Sequence, residues 1–383
     1  MAKRLYFGIA DKARKGKKAY IGIDGKARKI KKMYFGVGGK ARCFFASDLV
    51  YGGTATSLST ARTAGAAGRA GTKYLLISGG YAGSNVSGLV EAFNASLTKT
   101  SATNLNYNYS YYEHRGLSIG DYVVFAGGGY NSENNYACAY NSSLTRTDLA
   151  NWGSGYGGRG QGAGNAGTSY AIFACGGANA NAYNLVKAYN ASLTLNTNLT
   201  LTARYDLGGG GVGNYAVFAG GCYKNLSSAV YSTVETVNNS LTKGTATSLS
   251  GVRTMMGSAN AGKYLLFGGG ANNLDESIKT VEAYNTSLTK SSVSALSENS
   301  TQNGSYYPVC ASIDEFATFS GGKTGIINIY DGSLVKKTNL TLKTIRGRGM
   351  AGNIGDYLLI AGGSIVSDGT SGDKSAVVEY LKI

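Results

Sequence analysis

Seven copies of one segment follow one another along this chain, and this repetition constrains the fold more than any other feature. Each copy contains an apolar run, a Gly-Gly pair, a segment similar to Val-Glu-Ala-Tyr and a turn similar to Asn-x-Ser-Leu-Thr. The Gly-Gly pairs begin at Gly79, Gly127, Gly176, Gly220, Gly268, Gly321 and Gly362. Their spacings are 48, 49, 44, 48, 53 and 41 residues. A period of about fifty residues built from short strand-like segments predicts a β-propeller with one blade per copy.

The fifth copy indicates how one blade is built. Residues 264–267 form a continuous apolar run, as expected for a strand buried on both faces, and a Gly-Gly pair follows. Residues 281–284 alternate as a half-exposed strand does, and residues 288–296 are predicted as the outer strand. In five copies the segment before the apolar run is rich in Gly and Ala, which suits strands that crowd around a propeller axis: residues 64–68, 160–167, 208–213, 256–262 and 347–352. This explains a chain with 58 Gly and a single Pro.

The order of these elements resembles the kelch repeat, in which a strand ends in Gly-Gly and a Tyr-containing strand and an outer strand follow. The resemblance covers roughly residues 46–383. It implies an all-β fold, a seven-bladed kelch-like β-propeller. The chain departs from the kelch pattern in the outer strand, where Trp is usual. Only Trp152 is present, and Leu105, Leu249 and Leu296 occupy the comparable place.

The seventh copy lacks an outer strand, because the chain ends three residues after Tyr380. Residues 49–58 closely match residues 241–249 of the fourth copy. We therefore predict that residues 49–58 supply the outer strand of the last blade and close the ring, which removes free sheet edges. On this hypothesis, deletion of residues 1–45 leaves a folded domain, whereas deletion of residues 1–59 opens it.

Residues 1–45 form a separate basic segment of three 14-residue units, which start at Leu5, Ala19 and Met33. Turn pairs such as Asp24-Gly25 predict three short β-hairpins, or a small repetitive β-structure, in front of the propeller. The segment holds 14 Lys and Arg against two Asp, a charge of +12 out of +16 for the whole chain. Its candidate anchoring residues are Tyr6, Lys12, Arg14, Tyr20, Lys26, Arg28, Tyr34, Lys40 and Arg42.

The basic units resemble the Lys-Ala-Arg repeats of tail and virion proteins of phages and prophages of Gram-positive bacteria. This resemblance implies a phage tail or tail-fibre protein that is assembled in the bacterial cytoplasm and located in the virion, as a homo-oligomer. Its partners would be other virion proteins, docked on an acidic surface by residues 1–45. Nucleic-acid binding is the alternative for this segment, because interleaved Lys, Arg and Tyr can contact phosphates and stack on bases.

Several other classes of protein are disfavoured by the composition. No apolar run is long enough for a membrane span, and no signal-peptide pattern is present. The five Cys stand at different places in different copies, which predicts small buried residues rather than a disulfide framework. Asn-x-Ser/Thr recurs at one place in the blade and is interpreted as an Asx-type turn. It occurs at Asn94, Asn141, Asn190, Asn238 and Asn285.

Nothing in the residue pattern predicts catalysis. The single histidine, His114, excludes a multi-His metal site and is expected on the surface or in a loop. No Gly-x-Ser-x-Gly context surrounds a serine, and few acidic residues stand close together. We therefore expect a non-enzymatic protein without cofactor or metal, whose propeller binds a host-surface ligand such as a glycan or an acidic polymer. A purely structural virion protein and a glycan-cleaving tailspike remain the alternatives.

A ring of arginines is the first candidate for the ligand site. Arg159, Arg204, Arg253 and Arg346 each lie 11 residues before the first aromatic residue of an apolar run, and Arg62 lies 12 before. The second and sixth copies have tyrosines near this place instead, namely Tyr111, Tyr112, Tyr306 and Tyr307. We expect all of these residues at one rim of the axial channel, where guanidinium groups would pair with carboxylate or phosphate. The alternative is that the repeated arginine holds the blades together.

Overall fold

The computed structural model describes residues 6–9, 12–15, 19–23, 26–30, 32–37, 40–46, 48–83, 85–105, 111–129, 135–150, 152, 158–178, 181–223, 229–273, 276–297, 308–321, 324–367 and 370–383. Two compact units are present. One contains residues 1–51 and 381–383, and the other contains residues 52–380.

The basic segment forms three antiparallel hairpins, in agreement with the prediction from its 14-residue repeat. β1 (Tyr6–Ile9) pairs with β2 (Lys12–Lys15), β3 (Ala19–Ile23) with β4 (Lys26–Ile30), and β5 (Lys32–Val37) with β6 (Lys40–Ala46). The register is the same in each hairpin, since a Gly of the first strand lies opposite the Ala of Lys-Ala-Arg. The pairs are Gly8–Ala13, Gly22–Ala27 and Gly36–Ala41.

The rest of the described chain is built mainly from seven four-stranded sheets. We number the sheets in chain order, and β7 (Val50–Ala55) precedes them all. Sheet one contains β8 (Ala66–Ala70), β9 (Tyr74–Ser78), β10 (Val90–Asn94) and β11 (Lys99–Ser101). Sheet two contains β12 (Arg115–Ile119), β13 (Tyr122–Ala126), β14 (Ala137–Tyr140) and β15 (Arg146–Asp148). Sheet three contains β16 (Gly162–Ala166), β17 (Tyr170–Ala174), β20 (Leu185–Tyr189) and β21 (Leu195–Thr200). Between β17 and β20 the chain forms a separate two-stranded hairpin of β18 (Gly177–Ala178) and β19 (Asn181–Ala182).

The next three sheets have the same plan. Sheet four contains β22 (Gly208–Val212), β23 (Tyr215–Ala219), β24 (Val234–Asn238) and β25 (Lys243–Ala246). Sheet five contains β26 (Gly257–Ala261), β27 (Tyr264–Gly268), β28 (Val281–Asn285) and β29 (Lys290–Val293). Sheet six contains β30 (Val309–Ile313), β31 (Phe316–Ser320), β32 (Ile326–Tyr330) and β33 (Leu340–Thr341).

Sheet seven differs because its strands are not consecutive in the chain. β34 (Arg346–Gly347) precedes it and joins a three-stranded sheet with β37 (Ser364–Ser367) and β38 (Thr370–Lys374). Sheet seven itself has the order β35 (Met350–Ile354), β36 (Tyr357–Ala361), β39 (Val378–Lys382) and β7.

The first strands of the sheets contact one another in a closed order. Strand β8 contacts β12, and the series continues through β16, β22, β26, β30 and β35, which in turn contacts β8. The described residues contain no helix, and therefore no helix that could span a membrane. The predicted all-β class and a propeller-like arrangement of sheets are therefore confirmed.

Glycine allows the first strands to approach closely, as the composition predicts. A Cβ atom added at Gly164 would lie 2.3 Å from the carbonyl oxygen of Gly210 in the next sheet. A Cβ at Gly211 would lie 2.5 Å from the carbonyl oxygen of Asn165. Real Cβ atoms do not make such contacts, so β16 and β22 pack nearly backbone to backbone.

The core lies between adjacent sheets. In sheet five the second strand opens with the half-buried Tyr264 and is otherwise buried, as predicted. Phe267 packs edge to face on Tyr284, with 6.0 Å between ring centroids. The prediction that residues 281–284 form a half-exposed strand is wrong, because all four residues are buried. Glu282, the charged residue of this strand, does not face water. It is buried and forms an ion pair with an arginine of the same sheet.

The repeated Asn-x-Ser/Thr segments are turns, which confirms their interpretation. In sheet five the side-chain oxygen of Asn285 accepts hydrogen bonds from the backbone N–H groups of Ser287 and Thr289, both at 2.9 Å. The same pair of bonds occurs at Asn94, Asn141, Asn190 and Asn238. Each turn also places a leucine, such as Leu288 at φ 60°, in the left-handed region.

Candidate functional site

The first strands of the seven sheets surround a cavity of about 370 Å³, which we call the axial cavity. Half of its lining residues are Gly or Ala, which leave the space open where larger side chains would fill it. Polar side chains on the lining are Asn165, Ser258, Asn260 and Ser312. The charged residues of the lining are Glu113, Arg115 and Arg348.

Hydrogen bonds between neighbouring sheets hold the polar side chains of the cavity in place. Asn165 Nδ2 donates to the carbonyl oxygen of Ser118 at 2.9 Å, and Asn260 Nδ2 donates to that of Gly211 at 2.8 Å. The Ser312 hydroxyl accepts from the backbone N–H of Asn260 at 2.7 Å. These bonds do not use the amide oxygens of the two asparagines, so the cavity offers acceptors on a rigid frame.

Six described residues with left-handed backbone conformation precede the first strands of six sheets, and Ala64, Glu113 and Arg348 among them line the cavity. We call this set the rim: Ala64, Glu113, Gly160, Asp206, Met255 and Arg348, each two residues before the first strand of its sheet. Their φ angles are 55°, 55°, 66°, 55°, 57° and 53°. This conformation is costly for residues other than glycine.

The strained backbone of the rim makes hydrogen bonds from sheet to sheet. The N–H of Ala64 donates to the carbonyl of Arg348, and the N–H of Glu113 donates to that of Ala64, both at 2.8 Å. Asp206 N–H donates to Gly160 and Met255 N–H to Asp206, both at 2.7 Å. The left-handed conformation therefore has an architectural use, because the backbone hydrogen bonds of these residues link neighbouring sheets.

A polar cluster crosses the rim between sheets seven and two. Arg348 Nη2 lies 3.1 Å from Glu113 Oε1, and Arg348 Nη1 donates to the Tyr112 hydroxyl at 3.0 Å. Burial, and then the nearby Glu113 carboxylate, raise the pKa of Tyr112 to about 12. Tyr112 is therefore a neutral phenol at neutral pH.

Four of the five predicted arginines are buried in ion pairs. Arg62 Nη1 lies 2.7 Å from Glu91 Oε2, Arg204 Nη2 lies 2.9 Å from Glu235 Oε2, and Arg346 Nη1 lies 2.5 Å from Glu379 Oε2. Arg253 Nη2 donates to Glu282 Oε2 in the same way. In each case the arginine lies four residues before the first strand and the glutamate on the third strand of the same sheet.

This placement corrects the expectation that Arg62, Arg204, Arg253 and Arg346 offer their guanidinium groups to a ligand at one rim of the axial channel. Their exposed fractions are 0%, 0%, 1% and 0%, and none of them lines the cavity. Their guanidinium groups also donate to backbone carbonyls of the second strand or the following loop, as Arg204 Nη2 does to Phe218. The arrangement favours the architectural alternative, in which the arginine holds the strands of its own sheet together.

Arg159 does not belong to this set. The turn between β16 and β17 has three residues, 167–169, where sheet five has two, 262–263. A count of 11 residues back from Tyr170 therefore gives Arg159, which lies one residue after the position that the buried arginines occupy in their sheets. Gly158 occupies the equivalent place, and Arg159 is exposed.

The tyrosines of the second copy are divided between the core and the rim. Tyr111 lies four residues before β12, in the place of the buried arginine, and is 1% exposed. Tyr112 belongs to the polar cluster of the rim. Tyr306 and Tyr307 lie outside the described residues.

Sheets that lack the buried arginine also lack the glutamate on the third strand. Sheets two, three and six have Cys138, Lys187 and Asn328 there. These are the sheets in which the position four residues before the first strand is not arginine. This covariation between copies is the signal in the sequence that the pairs are structural.

His114 lies in the loop directly before β12, as one of the two expectations had it, but it is buried rather than at the surface. Its Nε2 lies 2.8 Å from the Ser78 hydroxyl, and its ring packs edge to face on Tyr111 and Phe125. Burial, and then the positive charge of Arg115, lower the pKa of His114 to about 3. The imidazole is therefore neutral, and with 0% exposure it has no access to a substrate.

The four cysteines whose side chains the structure describes are free, and three of them are buried, in agreement with the prediction. Cys138, Cys175 and Cys222 are buried and Cys310 is half-buried. Burial raises the pKa of the Cys138, Cys175 and Cys222 thiols to about 12. Among the described residues, no group of three or more His, Cys, Asp or Glu side chains could hold a metal ion.

The candidate anchoring residues are divided by type between the two strands of each hairpin, with the Tyr on the first strand and the Lys and Arg on the second. Tyr6, Tyr20 and Tyr34 lie on β1, β3 and β5. Lys12, Arg14, Lys26, Arg28, Lys40 and Arg42 lie on β2, β4 and β6. Their docking role stays a prediction.

Comparison with known proteins supports the fold and goes no further. No protein-family model and no curated protein sequence matches the chain. The solved structure of the protein YjhT is similar to it, with a TM-score of 0.57 at 9% sequence identity. The similarity covers 86% of this chain and 97% of YjhT. At this level of identity the likeness concerns the arrangement of the backbone alone.

Proposed function

We propose that this chain is a non-enzymatic attachment protein of a phage tail, whose propeller binds a host-surface glycan in the axial cavity. The observation that carries the binding role is the cavity itself. A rigid ring of strands holds amide, hydroxyl and charged groups around about 370 Å³, a volume within the range of small-ligand sites. Rigidly held polar groups on a scaffold give specificity at a low entropic cost.

The proposed place in the virion is supported by the basic segment. Its three hairpins share one register, and its sequence resembles repeats of phage tail and virion proteins. A charge of +12 on about 45 residues suits docking on an acidic protein surface. DNA binding by the segment is the competing proposal, and a steep dependence of DNA affinity on salt would favour it.

We also propose that the seven sheets are seven kelch-like blades and that residues 49–58 close the ring. Two observations support this proposal: the first strands contact each other in a closed order, and β7 is the fourth strand of sheet seven. Deletion of residues 1–45 should leave the melting temperature nearly unchanged, whereas deletion of residues 1–59 should lower it strongly. Equal melting temperatures for the two truncations would contradict the closure.

Binding of the full-length protein to envelope preparations of its host tests the proposed function. Ala67 lines the cavity and is half-buried, so Ala67→Phe should fill the cavity. Ala295→Phe makes the same change at an exposed position and serves as the matched control. We expect envelope binding by the wild type, a loss of at least about tenfold for Ala67→Phe at an unchanged melting temperature, and no loss for Ala295→Phe.

The same assay separates the alternatives. A purely structural virion protein would bind no envelope polysaccharide and would be retained only by particle subunits. A glycan-cleaving tailspike would release reducing ends from the polysaccharide. Either result would replace the proposed function.

A further inference from the structure

Arg115 is the one residue of the cavity lining whose charge is not balanced by a contact within the described chain. It is the first residue of β12 and is half-buried. Its Nε donates to the carbonyl oxygen of Gln161 at 2.8 Å, and its Nη1 lies 3.5 Å from the carbonyl oxygen of His114. Both partners are neutral. No described carboxylate lies within ion-pair distance of its guanidinium group.

Arg115 differs in this respect from the four repeated arginines, each of which has a carboxylate partner. Arg62, Arg204, Arg253 and Arg346 each have a buried glutamate as partner. In sheet two, the third-strand position that carries this glutamate is Cys138, a neutral thiol. Burying a charge without a partner is costly, so an unpaired guanidinium in a cavity points to a partner from outside the chain.

The charges of the cavity lining leave an excess of one positive charge. The charged lining residues are Glu113, Arg115 and Arg348, so two arginines and one glutamate give +1. The Glu113 carboxylate is held by Arg348 at 3.1 Å, which leaves the excess on Arg115. In a cavity with low-dielectric walls this field favours one negative charge on a ligand.

The remaining lining suits the uncharged part of a sugar. Asn165 and Asn260 present amide oxygens that their bonds to neighbouring sheets do not use. Ser258 and Ser312 add hydroxyl groups. Hydroxyl-rich ligands need such a mixture of acceptors and donors, whereas a simple inorganic anion would not use it.

We propose that the axial cavity is selective for a saccharide or polyol unit with one anionic group, a carboxylate or a phosphate, which pairs with Arg115. This proposal deepens the proposed function, on which it rests, by naming the chemical class of the ligand. The planar guanidinium can bind either group through two parallel N–H···O bonds.

Calorimetric titration of the full-length protein with two matched pairs of small probes tests the proposal. The pairs are glucuronate with glucose, and glycerol 1-phosphate with glycerol. We expect binding of the anionic member of one pair, at least tenfold tighter than its neutral counterpart. Glucuronate binding identifies a carboxylate as the anion, and glycerol phosphate binding identifies a phosphate.

Two variants assign the effect to Arg115. Arg115→Gln should weaken binding of the anionic probe at least tenfold and leave the neutral probe unaffected. Arg115→Lys keeps the charge and should retain part of the affinity, which guards against loss of folding as the cause. Arg69→Gln changes the net charge equally at an exposed residue outside the cavity lining, and it should bind like the wild type.

The outcomes distinguish this proposal from the proposed function. Host-envelope binding by the wild type and by Arg115→Gln alike, without preference for anionic probes, would overturn the anionic ligand and keep the attachment role. Anion binding that depends on Arg115, without binding to the host envelope, would support the anionic ligand and overturn the attachment role. If the protein binds neither the anionic probes nor the host envelope, both the anionic ligand and the attachment role are overturned.

Discussion

The Arg253–Glu282 pair provides the sharpest test of whether the repeated arginines are architecture. Arg253 Nη2 donates to Glu282 Oε2, and Arg253 Nη1 donates to the carbonyl oxygen of Thr280 at 2.9 Å. Arg253→Gln shortens the side chain and removes its charge, so the buried Glu282 carboxylate and the Thr280 carbonyl lose a partner. Breaking a buried pair from one side costs about 3–5 kcal/mol.

Lys290 reduces this cost, because its Nζ remains 3.0 Å from Glu282 Oε1. We therefore expect Arg253→Gln to lower the free energy of unfolding by about 3 kcal/mol, at the low end of the range for a broken buried pair. The double variant Arg253→Met/Glu282→Leu removes both charges and should cost less than the single variant, since no unpaired buried charge remains.

Denaturant unfolding of the full-length protein, followed by fluorescence and circular dichroism together, measures the effect. Arg69→Gln, at an exposed residue, is the control and should stay within about 0.5 kcal/mol of the wild type. Ligand binding by the folded fraction of Arg253→Gln should be unchanged. A single variant as stable as the wild type that has lost ligand binding would refute the architectural role.

Three further predictions concern single residues. His114 has a pKa of about 3 when folded, against 6.5 when unfolded, so the unfolded chain binds more protons between these values and stability falls as the pH drops through this window. Between pH 6 and 5 the loss should approach about 1.4 kcal/mol per pH unit and should disappear in His114→Gln, as pH-dependent unfolding would reveal; an equal slope in the variant would contradict it. Asn285→Ala removes the acceptor of two turn bonds and should cost about 1 kcal/mol in the same assay, whereas no loss would show the turn to be held by other contacts. Cys138, Cys175 and Cys222, with pKa values raised to about 12 by burial, should react with a thiol reagent only after unfolding, and fast labelling of the native protein would contradict their burial.

The repetition made most of the fold predictable from the sequence. Seven copies can be aligned with each other, so a run such as residues 264–267 is identified by its recurrence and not by its own weak pattern. The structure places β27 at Tyr264–Gly268. The burial of residues 281–284 was not predictable from alternation, because it depends on Arg253, which lies 29 residues before Glu282.

The candidate site was harder to predict, since its residues differ between copies. Counting from one landmark gave Arg159, and a one-residue change in turn length made that count wrong for sheet three. Arg115 carried a usable signal, because the first position of the first strand is Ala, Gly, Val or Met in the other six sheets. A repeated residue indicates architecture, whereas a charged exception facing the axis indicates function.

A crystal structure of the full-length protein soaked with an oligosaccharide from its host's envelope tests the central claim most directly. We predict electron density for the sugar within the axial cavity, with an anionic group on Arg115 and hydroxyl groups near Asn260. A sugar bound on the outer surface of the sheets, with the axial cavity containing only water, would contradict the account.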